Sequence, residues 1–273
     1  MDVPLSWQLA KLLLSIGLVL GLSSIAVRVS ARVAGLLAGY PLGTSIALLF
    51  IGLEISPEFA AQSAVHTLAG FTATLALGAG YLAGGRRDGL GGILRGCLGG
   101  FSAWLAVSLV LTQLDFTRVT GTLTTLAAIV MVTWLYRRIP DSRTPPPGRF
   151  SWAVMALRAA LAALIIVVIT SLAHWVPAAW AGVMAAFPVT LFPFLIMLHL
   201  SHGAAPVATV IKHFPAGLGS LLSYTLCVSL TYATLGLAWG TLIGFVMATL
   251  WLLGWSQWLT WRRTQRLSRE ARA

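Results

Sequence analysis

The sequence is poor in acid. Seven Asp and Glu stand among 273 residues, and charged residues of both signs make up only 9% of the chain, against about a quarter in soluble domains. Asp2, Asp88, Asp141 and Glu270 fall in tails or between apolar runs. Too few acids remain for the clustered acid and base that an enzyme embedded in a membrane normally needs. Other chemistry is missing as well. There is no Ser-His-Asp spacing, no HExxH, no glycine-rich phosphate loop and no CxxC. Cys97 and Cys227 are the only cysteines, both inside apolar segments, so the chain holds neither a disulfide framework nor a zinc site. The expectation is a protein that is not an enzyme, with no catalytic residue, metal or cofactor.

What is present is apolar. Hydrophobic residues make up 58% of the chain, in long runs from end to end, which marks a polytopic membrane protein in contact with the lipid bilayer. Nine spans are expected, near 8–27, 33–54, 60–84, 92–113, 117–136, 152–173, 178–200, 206–232 and 237–258. Each can cross a core of ~30 Å at ~1.5 Å per residue. The runs lack the alternation of a membrane barrel, so the fold class is all-α. Residues 12–27 resemble a signal-peptide core ahead of Val29-Ser30-Ala31, but Arg28 and Asp2 argue for a retained first helix.

The net charge of +11 does not point to nucleic acid, because the arginines lie between apolar segments. Assigning alternate sides to successive loops puts sixteen of the eighteen Lys and Arg on one side and leaves Lys11 and Arg118 on the other. Positive residues mark the cytoplasmic side, so the N-terminus is expected outside and the C-terminus inside.

A stretch occurs twice. Ala34-Gly35-Leu36-Leu37-Ala38-Gly39-Tyr40-Pro41, running on to His66 and Gly70, returns 147 residues later as Ala181-Gly182-Val183-Met184-Ala185-Ala186-Phe187-Pro188, running on to His213 and Gly217. The spacing holds without a gap. With nine spans, the first copy enters from outside and the second leaves from inside, so the two are inverted-topology repeats of five and four helices. The match of Ser102–Ser108 to Ser223–Ser229 at 121 residues places the extra 26 residues of the first copy around 84–89. The expected organisation is 1–138 as the first repeat, 139–150 as a proline-rich cytoplasmic linker, 151–261 as the second repeat and 262–273 as a basic cytoplasmic tail. The tail is read as a stop-transfer signal or a segment lying on the anionic leaflet.

Pro41 and Pro188 lie about eight residues into their spans, ~12 Å from the respective faces. Each removes a backbone donor and must kink or break its helix. Tyr40 and Phe187 precede them in register. His66 and His213 lie ~10 Å deep by the same rise. Ionisable groups at that depth serve as ligand contacts, proton relays or mirrored interhelical hydrogen bonds. Lys212 adds charge beside His213, and Glu54 is placed to pair with His66. Lys11 and Arg158, also 147 apart, are expected to snorkel to the interface.

The pattern Ala-Gly-x-x-Ala-x-aromatic-Pro, after one apolar helix, resembles the GlpM family of small bacterial inner-membrane proteins. Ala181–Pro188 is the nearer match and Ala34–Pro41 the second. The resemblance implies a bacterial inner (cytoplasmic) membrane and a link to exopolysaccharide production. It says little of substrate.

The expected function is secondary transport by alternating access, with Pro41, His66, Pro188 and His213 lining the interface and Tyr40, Phe187, Lys212 and Glu54 beside them. The excess of His, Lys and Arg over acids there favours a small anion, with proton coupling through the histidines. The alternative is a non-transporting scaffold of a cell-envelope biosynthetic complex. A homo-oligomer stays open in either case.

Overall fold

A computed structural model describes residues 31–142 and 152–270, together with Leu13, Ile16 and Gly17. The expected first span, most of the 139–150 linker and the last three residues lie outside the described residues. Ten helices follow in order: α1 (Ala31–Leu37), α2 (Leu42–Glu54), α3 (Pro57–Gly84), α4 (Leu90–Leu111), α5 (Arg118–Tyr136), α6 (Trp152–Leu172), α7 (Ala178–Ala185), α8 (Leu191–His202), α9 (Ala204–Leu235) and α10 (Leu237–Glu270). No strand is found among the described residues.

Six segments are long and apolar enough to cross a membrane: Ala31–Glu54, Pro57–Gly84, Leu90–Leu111, Arg118–Tyr136, Ala204–Leu235 and Leu237–Trp258. Ala156–Leu172 and Leu191–His202 are shorter apolar helices. The chain is thus a polytopic helical membrane protein. Its α10 runs 34 residues to Glu270, or ~51 Å at the helical rise, well beyond a ~30 Å core. The basic segment after 262 continues that helix and is not a separate tail as far as Glu270.

Local chemistry starts and stops these helices. Ser56 accepts from the Phe59 N–H at 3.1 Å and Pro57 takes the first position of α3, where its missing donor costs nothing. Thr117 and Thr120 cap α5 reciprocally, at 3.1 and 2.8 Å. Gly89 and Gly236, with φ of 83° and 80°, lead into α4 and α10. Only glycine enters that left-handed region without a Cβ penalty, and the two glycines lie 147 residues apart.

Starts of two element pairs keep the same spacing. Pro57 and Ala204, and Leu90 and Leu237, differ by 147, while Leu42 and Leu191 differ by 149. The stretch 85–89, where the extra residues of the first copy are expected, is a short turn between α3 and α4.

The α1–α2 pair, α3 and α9 form the centre, with 61%, 61% and 56% of their most apolar stretches buried, against 28% for α4 and α5 and 17% for the start of α10. The outer helices turn Leu94, Leu98, Leu123, Val130, Leu242 and Leu250 outward, as lipid contact requires. α3 and α9 run antiparallel, with Gly78 of α3 against Ile211 of α9. At one end of the bundle Asp88 accepts from the Ala204 N–H at 2.7 Å, and His199 Nε2 donates to the Arg87 carbonyl at 3.0 Å. Asp141 joins Arg32, Lys212 and His213 at that end. At the other end Arg118 donates to Ser229 and the Phe116 ring meets His66 edge-on.

Candidate functional site

The segments at Pro41 and Pro188 are broken outright, and they break alike. Tyr40 N–H donates to Leu37 O at 3.0 Å, Leu42 N–H to Tyr40 O at 2.8 Å and Ser45 N–H to Pro41 O at 2.9 Å. In the other segment Phe187 N–H donates to Met184 O at 2.9 Å, Val189 N–H to Phe187 O at 2.8 Å and Phe192 N–H to Pro188 O at 2.8 Å. Every partner is shifted by 147. The cause lies in the proline, which offers no N–H and clashes with the carbonyl four residues earlier. The preceding turn tightens, the chain bends, and a new helix starts one turn on. The N–H groups of Gly43 and Thr44 in α2, and of Thr190 and Leu191 at the start of α8, take no carbonyl of the described chain.

These two helix starts meet. A methyl on Gly43 would lie 2.8 Å from Val189 Cβ. Between them is a small cavity of about 10 Å³, the room of about one water molecule. Tyr40, Thr44, Thr74, Phe187, Thr190 and Phe214 are among its lining residues. Thr44 and Thr190 are 4% and 7% exposed, and their hydroxyls make no hydrogen bond with the described residues. Thr74 Oγ1 donates to the Ala186 carbonyl at 2.5 Å, which fixes the end of α7. Thr67 Oγ1 donates to Gly182 O at 2.8 Å. Tyr40 OH and Thr249 Oγ1 lie 2.9 Å apart. Phe187 packs edge-on against Trp104 and Phe192, with centroids at 5.2 and 5.7 Å. No acid lines the cavity. Two helix N-termini, each equivalent to roughly half a positive charge, and two idle hydroxyls therefore favour a negative charge between them.

Small residues set how the half-helices α1 and α7 are held. A methyl on Gly35 would meet Val210 O at 2.5 Å and His213 Cβ at 3.2 Å, and Gly39 abuts the Gly217 backbone. Gly182 likewise abuts Ser63, with His66 Cβ 2.9 Å from an added methyl, and a methyl on Gly70 would lie 2.8 Å from Ala186 Cβ. The contacts recur 147 residues on: Ser63 becomes Val210, His66 becomes His213, Gly70 becomes Gly217 and Gly39 becomes Ala186. α1 rests on α9, and α7 rests on α3.

Tyr40, Phe187 and Pro188 line the cavity, and Pro41 heads α2 at its edge. His66 and His213 do not line it. Each stands behind a half-helix. His213 Nε2 donates to Asp141 Oδ1 at 3.0 Å, Lys212 Nζ lies 3.0 Å from the same oxygen and donates to Ile139 O at 2.5 Å, and Arg32 donates to Asp141 Oδ2 at 2.5 Å. Burial raises the Asp141 pKa, but the hydrogen bonds from Lys212, His213 and Arg32 outweigh it and hold the carboxyl well below the usual range. His66 keeps a buried Nδ1 without a partner.

Glu54 stands beside a different histidine. Its carboxylate is 4.0 Å from His174 Nε2, and His174 Nδ1 donates to Thr170 O at 3.0 Å. Arg158 does not snorkel: it is 4% exposed, with its guanidinium 4.8 Å above the Phe194 ring. His199 is a buried structural group between Tyr81 OH and the Arg87 carbonyl. No cluster of metal-ligating residues occurs among the described residues. Sequence reasoning missed Thr44 and Thr190. Their signal was position, two or three residues past each helix-breaking proline.

No family model, curated protein or solved structure matches the chain.

Proposed function

We propose that the protein is a secondary transporter of a small anion, working by alternating access at the crossing of two broken helices. One observation carries this reading: two half-helix N-termini and two buried threonines, whose hydroxyls make no hydrogen bond with the described residues, converge on one small cavity. Discontinuous helices that aim their N-termini at an anionic group near the midplane are the device inverted-repeat transporters use. Binding at exposed backbone donors is strong there because little water competes.

The spacing supports two inverted repeats. The unit is one span, a broken span, a long helix and a peripheral helix, with α5 between the copies. α3 and α9 are the matched long helices, and they run antiparallel. Counting the span at 8–27, α6 and the broken α7–α8 segment, the chain crosses nine times. The arginine-rich end, with Arg86, Arg87, Arg137 and Arg138, is cytoplasmic in this reading, in a bacterial inner membrane. Only the bacterial inner membrane in this reading comes from the GlpM resemblance.

The test is uptake current from purified protein in proteoliposomes, across a panel of small organic and inorganic anions, with and without a pH gradient. Current that depends on the anion and is lost in Thr44→Val/Thr190→Val is the expected result. Silence across the panel from folded, oriented protein would remove the anion and favour a scaffold role.

A further inference from the structure

In the inverted-repeat reading α5 is the helix without a counterpart, and it stands against both central helices. Gly121 packs on Leu68 of α3, with an added methyl 3.2 Å from Leu68 Cβ, and Thr125 Oγ1 donates to Leu68 O at 2.6 Å. Arg118 holds Ser229 of α9 through bonds of 3.2 Å to the hydroxyl and 2.9 Å to the carbonyl. An acid flanks each end of this helix, Asp115 before it and Asp141 after it. Asp141 bonds one of the two matched histidines, His213, and Asp115 adjoins Phe116, which meets the other, His66.

The two ends are in different states. Beyond the C-terminal end, His213 Nε2 and Asp141 Oδ1 are bonded at 3.0 Å, and Arg32 of α1 joins the same carboxylate. This contact ties α1, α9 and the segment after α5 together. Before the N-terminal end, Phe116 meets the His66 ring edge-on at 6.4 Å, and Asp115 is the residue next to Phe116. Yet Asp115 is exposed and makes no hydrogen bond or ion pair with the described residues, and the buried His66 Nδ1 has no partner. His66 and His213 hold equivalent places, behind Gly182 and Gly35.

We propose that His213–Asp141 and His66–Asp115 are two latches at opposite ends of α5, that only one is made at a time, and that the made latch closes the cavity to its own face. The inference rests on the transport reading above. In an inverted-repeat machine the two halves exchange conformations between states. A contact made in one half and open in its equivalent is therefore the contact that must switch. The latches are unequal. Lys212 and Arg32 reinforce Asp141, whereas the equivalent positions 147 residues away are Val65 and Ala179. The Asp141 latch is the stronger, and the protein rests with that face closed.

The experiment places a single cysteine at Thr44 in a Cys97→Ser/Cys227→Ser background and measures its labelling by a membrane-impermeant maleimide in right-side-out and inside-out vesicles. The parent labels faster from the face opposite Asp141. Asp141→Asn raises labelling from the Asp141 face on the order of tenfold, the scale of losing charge-assisted hydrogen bonds. Asp115→Asn shifts the ratio the other way, and Asp141→Glu keeps the parent ratio. His213→Gln is the second way to open the first latch if Asp141→Asn does not fold. Two-sided labelling at a ratio that none of these variants moves overturns the latches and leaves transport standing. No labelling from either face in any variant overturns the transport reading and the latches with it.

Discussion

Thr44 and Thr190 are mostly buried at the edge of the cavity, and their hydroxyls make no bond with the described chain. A hydroxyl at a cavity with no protein partner is free to bond a ligand there and holds no element in place. The residues therefore separate binding from folding. Thr44→Val or Thr190→Val weakens anion affinity by roughly tenfold or more, the scale of one hydrogen bond to a charge. The same change leaves the melting temperature unaltered or raises it, because no protein hydrogen bond is lost. A fall in both affinity and melting temperature would give these hydroxyls a structural role instead. Asp141 behaves in the opposite sense. Its carboxyl is held below the usual range, so the stability it supplies is present above its unfolded value near ~4 and is lost as pH falls toward the folded value. Its pairs are partly exposed, with the Asp141 side chain 28% accessible. Solvent screens them, and wild type should exceed Asp141→Asn by about 2–4 °C at neutral pH. Melting scans of purified protein should find that margin no smaller between pH 7 and 4 and declining below pH 4.

Elements in this fold are placed by absent side chains as much as by present ones. α1 lies on α9 because Gly39 and Gly217 let two backbones touch, and α7 lies on α3 through Gly182 and Gly70. The obstructing atom at Gly39 is backbone, so Gly39→Ala must push α1 off α9 and costs about 1–3 kcal/mol. Gly254 in α10 has nothing within 4 Å. There Gly254→Ala is neutral or stabilises by up to ~1 kcal/mol through helix propensity. Thermal unfolding in detergent ranks the two, and equal effects would sink the close-packing account. The same elements mark what the residues alone could reveal. The duplicated Ala-Gly, proline and histidine positions announced two interrupted helices, and the interruptions are there. The choice between kink and break was not legible, because it depends on whether the carbonyl of Leu37 or Met184 finds a new donor, and that donor is the N–H of Tyr40 or Phe187. Depth alone put the histidines in the site. Depth does not give azimuth, and both turned out to face the back of a half-helix. The pairing of Glu54 with His174 joins residues 120 positions apart, which no local pattern encodes.

The whole molecule is organised by the 147-residue spacing, which relates element starts, proline breaks, glycine contacts and the positive-φ turns at Gly89 and Gly236. Such agreement at every level leaves open one geometric question, the direction of the second copy relative to the membrane. α3 and α9 run antiparallel, and in the proposed inverted-repeat reading α5 supplies the odd crossing that turns the second copy over. The turn between α3 and α4 and the turn between α9 and α10 should then lie on opposite faces. In a Cys97→Ser/Cys227→Ser background, single cysteines at Arg86 and at the exposed Leu235 test this with an impermeant thiol reagent. Arg86→Cys is expected to label from the cytoplasmic face, with the other arginines. Leu235→Cys is expected to label from the outer face, beside Arg118 and Ser229. Labelling of both from one face would mean parallel copies. The two half-helix N-termini would then approach the membrane from the same side, and a site that opens alternately to each face would lose its symmetry basis.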